Sequence, residues 1–79
     1  MTVHLFGVTR DIIGKGSMTI TAAEGIETVG DLKGFLREQY PALRELSSLA
    51  LAVNHSYARD NDPVHESDEI ALIPPVSGG

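Results

Sequence analysis

Cysteine and tryptophan are absent from this sequence, and aromatic residues make up only 5% of it. Without cysteine there is no disulfide scaffold, no thiol nucleophile and no Cys-ligated zinc or iron–sulfur site. Basic residues are scarce as well: 6 Lys plus Arg stand against 11 Asp plus Glu, leaving a net charge of −5. That balance argues against a nucleic-acid partner, whose phosphates demand a basic face. An acidic surface suits a basic protein partner better. No apolar run approaches the ~20 residues of a membrane span. No basic stretch leading into an apolar segment opens the chain, so nothing in it suggests export. The expectation is a soluble, cytoplasmic protein that meets neither membrane nor nucleic acid.

What is present is enough for one core. The 79 residues are 42% hydrophobic and 22% charged, the balance of a compact globule rather than a disordered segment. A domain of this size buries only about 60–65% of its unfolded surface. It has little room for a deep, enzyme-sized pocket.

Thr2 to Val8 reads as a first strand, with Val3 and Leu5 on one face and His4 and Phe6 on the other. Gly14-Lys15-Gly16 is a turn signal, and Met18 to Ala22 reads as the partner strand of an opening hairpin whose tip holds Ile12 and Ile13. Thr28 is placed to cap a helix, with Asp31 favouring the unpaired amides of its first turn. Val29, Leu32, Phe35 and Leu36 follow helical spacing, and Pro41 ends that helix near Gln39. Gly34 inside it costs roughly 1 kcal/mol against alanine with no visible reason. Ala42 to Ser48 reads as a short helical turn, and Leu49 to Asn54 as a buried strand. A short strand is expected around Tyr57, and a last one over Glu69 to Ile73. This order predicts an α+β fold, a mixed sheet with one main helix on one face. With its first and last strands side by side in the centre, that is a β-grasp, or ubiquitin-like, domain over residues 1–73, followed by an extended tail, 74–79.

Catalytic and metal motifs are missing. No Gly-rich phosphate loop or dinucleotide fingerprint occurs. His4, His55 and His65 lack metal-like spacing, so no metal is expected; His4 reads as a sheet-surface residue and the other two as loop side chains. A Ser-His-Asp arrangement could be drawn on paper, but nothing in the sequence fixes its geometry. Asp68-Glu69 reads as part of a solvated turn.

The informative segment is the end, Ala71-Leu72-Ile73-Pro74-Pro75-Val76-Ser77-Gly78-Gly79. Two prolines stop the strand and favour an extended, polyproline-like path. Residues 74–79 can therefore reach about 20 Å, at the extended rise per residue. Gly78 and Gly79 remove side-chain bulk, so bare backbone can enter a narrow channel. A terminal carboxylate, ionised at neutral pH, is a poor electrophile. Adenylation with ATP would activate it. A sulfur nucleophile would then give a thiocarboxylate, and an amine would give an isopeptide.

With these features the chain resembles the MoaD/ThiS family of sulfur carriers, and in particular its molybdopterin-synthase branch. The likeness covers nearly the whole chain. It runs through Val3-His4-Leu5-Phe6-Gly7, Arg10-Asp11-Ile12-Ile13-Gly14, Tyr40-Pro41-Ala42-Leu43, Ala52-Val53-Asn54 and Asp68 to Gly79. The Pro-Pro-Val-Ser-Gly-Gly ending is its most specific part; thiamine-type carriers share Gly-Gly but usually lack the diproline. Ser67 departs from the family, which often has glycine before the acidic pair, and should alter only a turn.

The resemblance implies a protein cosubstrate rather than an enzyme on its own. A MoeB-type enzyme would spend ATP to adenylate Gly79, and a sulfur-donor protein would turn it into a thiocarboxylate. The tail residues Pro74, Pro75, Val76, Ser77 and Gly78 would thread into the active site of a MoaE-type large subunit, in a heterotetramer. There Gly79 would give its sulfur to cyclic pyranopterin monophosphate. No cofactor is expected on this chain itself. Strand alternation independently leaves Phe6 and Ile73 on the face away from the helix, extended by Tyr57, as a docking patch. The resemblance adds Arg10 as a polar contact. Other readings are a sulfur carrier for thiamine or a thionucleoside, a ubiquitin-like modifier conjugated through Gly79, or a binding module with an idle tail.

Overall fold

The computed structural model describes residues 1–21 and 25–75. Ala22, expected at the end of the second strand, lies outside them, as do Val76, Ser77, Gly78 and Gly79 of the tail. The elements are β1 (Thr2–Leu5), α1 (Gly7–Ile13), β2 (Ser17–Thr19) and α2 (Val29–Gln39), then a 3-10 helix (Pro41–Glu45). Three strands follow: β3 (Ala50–Val53), β4 (Ser56–Ala58) and β5 (Glu69–Ile73). They form one mixed five-stranded sheet in the order β2-β1-β5-β3-β4. β1 and β5 run parallel at its centre, Thr2 opposite Glu69 and Leu5 opposite Leu72. All other pairings are antiparallel. The expected β-grasp architecture is thus present.

Alternation decides which face is covered. Val3, Leu5, Ile70, Leu72 and Leu51 are buried, and they join Val29, Leu32 and Leu36 of α2 and Leu43 of the 3-10 helix in one core. The register pairs these strand residues across the ladders, so a slip by one residue would turn the whole set to solvent.

α2 starts where the sequence places it. Asp31 N–H donates to Thr28 Oγ1 at 3.2 Å, and the Asp31 carboxylate accepts from the Thr28 and Glu27 N–H groups at 3.1 Å. This reciprocal cap satisfies amides that a helix start leaves without partners. The first turn also anchors a loop. Gly30 N–H donates to the Asp60 carbonyl at 2.8 Å, and a Cβ on residue 30 would stand 3.2 Å from that oxygen. Lys33 Nζ holds the Asp60 carboxylate at 2.7 Å.

Three expectations are corrected. The hairpin tip is a helix: β1 stops at Leu5, and α1 carries Thr9 and Ile13 into the core on one face. Gly14, read as a simple turn residue, is the left-handed cap of that helix, with φ +82° and its N–H on the Arg10 carbonyl at 2.8 Å. Asp68, expected in a solvated turn, is buried. Its carboxylate accepts from His65 N–H at 2.7 Å and from Asn54 Nδ2 at 2.9 Å. These bonds hold its carboxyl below the usual carboxylate range, the His65 amide most of all, with Asn54 next.

Candidate functional site

The residues singled out as a docking patch lie around the sheet face away from α2. His4, Ala71, Ala52 and Tyr57 are register partners in sequence across β1, β5, β3 and β4, and so share that open face. Phe6 and Ile73 each follow by one residue the last parallel pair, Leu5 and Leu72, and alternation sends them to the same side. Phe6 is 52% exposed and Tyr57 77% exposed, while Ile73 is half-buried. Between them Ala52 and Ala71 leave a shallow floor, bordered by His4, His55 and Glu69. His4 Nε2 stands 3.7 Å from Glu69 Oε1 at that border. Tyr57 is carried by a tight hairpin whose turn residues, Asn54 and His55, both have positive φ, +49° and +73°, the signature of a type I′ turn.

Arg10 sits elsewhere. It lies on α1 with its guanidinium over Gly16, where a Cβ would come within 3.9 Å of it, at the β2 side of the sheet end. Val8, 40% exposed beside Phe6, is an apolar surface residue that sequence reasoning passed over. The signal was the helix itself: read as a strand, residue 8 falls on the same face as His4 and Phe6, while on α1 it has its own orientation.

Phe6 owes its position to Thr9. The Thr9 hydroxyl accepts from Phe6 N–H at 3.2 Å and donates to the Phe6 carbonyl, with the Thr9 side chain fully buried. Gly7 follows with φ +54°, a conformation that favours glycine. A Cβ on residue 7 would stand 3.2 Å from Cγ of Pro74. The first residue past β5 therefore leans on the start of α1, and Pro74 and Pro75 are both half-buried.

The described residues thus set an open sheet face, with Phe6 and Tyr57 exposed, next to the two half-buried prolines that follow β5. Among the described residues no group of three or more His, Asp or Glu could hold a metal ion. His55 and His65 are exposed loop residues. No helix among the described residues is long and apolar enough to cross a membrane.

Comparison with known proteins agrees with the geometry. The family model described as "ThiS family" matches residues 3–79. The molybdopterin synthase sulfur carrier subunit of Dictyostelium discoideum is 40% identical over 80 residues, which cover 98% of this chain and 93% of that protein. Among solved structures, small archaeal modifier protein 1 of Haloferax volcanii is 30% identical with a TM-score of 0.79, covering 100% of this chain and 98% of that one. A complex of subunits 1 and 2 of the molybdopterin-converting factor from Helicobacter pylori contains a chain 29% identical to this one, with a TM-score of 0.65. That match covers 99% of this chain and 96% of the other. Matched by that family model over residues 3–79 and built on a β-grasp sheet, the chain belongs to the ThiS family.

Proposed function

We propose that this chain is the sulfur-carrier subunit of a molybdopterin synthase. The observation that carries the reading is the near-complete match to a molybdopterin synthase sulfur carrier at 40% identity, in a chain whose central strand runs directly into a diproline arm. On this reading the carboxylate of Gly79 is the group to be activated. A carboxylate oxygen attacks the α-phosphorus of ATP in a MoeB-type enzyme and pyrophosphate leaves. Hydrosulfide then attacks the acyl-adenylate carbonyl and AMP leaves, giving the thiocarboxylate. Docked through Phe6, Tyr57 and Ile73 on a MoaE-type large subunit, the chain presents this sulfur to cyclic pyranopterin monophosphate. Loss of sulfur and uptake of a water oxygen restore the Gly79 carboxylate. The side chains that act on the pterin belong to the large subunit; the role of this chain is delivery.

The test is an intact-mass spectrum after incubation with a MoeB-type enzyme, ATP and sulfide. A gain equal to one sulfur-for-oxygen exchange, localised to Gly79, is expected, and the product should then convert the pterin precursor when a large subunit is added. Covalent adducts to lysines of other proteins would instead identify a modifier. An unchanged mass with a demonstrably active enzyme would overturn the reading.

A further inference from the structure

We propose that Gly7 is a positioning residue for the C-terminal arm: a bare seat, locked by Thr9, against which Pro74 sets the direction in which the arm leaves the body. Three features of the structure meet at this point. Thr9 fixes the Phe6 backbone through both its N–H and its carbonyl, from a side chain that is itself fully buried and cannot swing away. The Phe6 backbone so held delivers residue 7 at φ +54°. Pro74 then occupies the space that any side chain on residue 7 would need, 3.2 Å from the missing Cβ. Proline has one fixed backbone torsion, so a ring pressed on a rigid seat has little freedom to turn its own backbone. α1 therefore does more than fill the gap between β1 and β2.

The consequence for sulfur delivery rests on the function proposed above. A partner that grips the open face and the arm together binds best when the two are already at the right angle, because the ordering cost is then lower. Bulk at residue 7 would redirect the arm while leaving Tyr57 and Ile73 where they are.

Gly7→Asn is the informative variant, since asparagine tolerates the left-handed region and so adds bulk with little backbone strain. Should it melt below the assay temperature, Gly7→Ala, which adds the Cβ alone, carries the same comparison. Spin labels on Ser48→Cys and Val76→Cys report the arm's direction without a partner, and they attach only there because the chain has no cysteine of its own. The inference expects the label-to-label distance distribution to shift in Gly7→Asn; an unchanged distribution overturns it. Affinity for the large subunit is then measured for the full chain and for a chain ending at Ile73. Gly7→Asn should weaken the full chain by about tenfold and the shortened chain by less than about twofold, a coupling that only a route through the arm produces. Equal losses in both would show that residue 7 acts on the face, and would overturn the proposal. A large subunit that binds no unsubstituted chain would refute the functional reading, while the label distances still decide this one.

Discussion

Asn54 and Asp68 hold each other across the start of β5: Asn54 Nδ2 donates to Asp68 Oδ1 at 2.9 Å, and Asn54 Oδ1 accepts Glu69 N–H at 3.0 Å. Asn54 thereby uses its side chain to tie its own left-handed turn to the first residue of the central strand. Asp68→Ala leaves Asn54 Nδ2 and His65 N–H without their acceptor, and should cost about 1–3 kcal/mol in a denaturant titration.

The same carboxylate makes stability depend on pH, with a definite sign. Asp68 titrates below its ordinary value in the folded chain, chiefly through the His65 amide. Asp31 is shifted the same way, chiefly by the Glu27 amide, and Asp60 by its hydrogen bond from Lys33. A depressed folded pKa contributes stability above the unfolded value, about 3.9 for aspartate, and that contribution is lost as pH falls through the lower folded value. Urea midpoints should stay level on this account from pH 7 to about 5, then fall below about 4. In Asp68→Asn the fall below that point should be shallower.

The two glycines of α2 should respond oppositely to alanine. Gly34 is exposed, and a Cβ there would meet nothing within 4 Å. Gly34→Ala should therefore add about 1 kcal/mol, seen as a melting point higher by roughly 4–8 °C. Gly30→Ala must push its Cβ against the Asp60 carbonyl at 3.2 Å and strain the bond that carbonyl accepts. Its helix gain should be cancelled or reversed.

Phe6→Asp should weaken association with the large subunit by about 2 kcal/mol or more, some thirtyfold, measured by calorimetry or interferometry. Because Phe6 is 52% exposed, its melting curve should change little. A large drop in melting temperature would instead place Phe6 in the core.

Deleting Gly79 should abolish thiocarboxylate formation, read by intact mass. Among the described residues the buried core runs from Met1 to Leu72, and the deletion should leave the unfolding midpoint unchanged.

Much of this fold was legible because strong local signals coincide with tertiary ones. Thr28, Asp31 and Pro41 mark both ends of α2, and its buried stripe follows helical spacing between them. β5 was legible because two prolines stop an alternating run whose Ile70 and Leu72 are both fully buried. α1 was not. Val8, Thr9, Ile12 and Ile13 are β-branched and prefer strands, and only the burial of Thr9 and Ile13 against the core overrides that preference. The Gly14 cap was the one local hint of a helix. Asp68 was misread because its partners, His65 and Asn54, are brought to it by the turn and by the sheet. Of the candidate site, the side taken by Phe6 and Ile73 followed from alternation, with Tyr57 added as an extension. The Gly7–Pro74 approach could not, since it joins the two ends of the described chain through the parallel pairing of β1 with β5.

That pairing also determines how the molecule bears load. A partner drawing the C-terminal segment into a channel would pull on Ile73 along the axis of β5, which is bonded on one side to β1 and on the other to β3. A strand at the sheet edge would peel, its hydrogen bonds breaking one after another. Here both ladders are loaded in shear, and many bonds must yield together. β5, from which Pro74 leads, is held on both sides rather than at an edge, so a pull along it would meet two ladders at once.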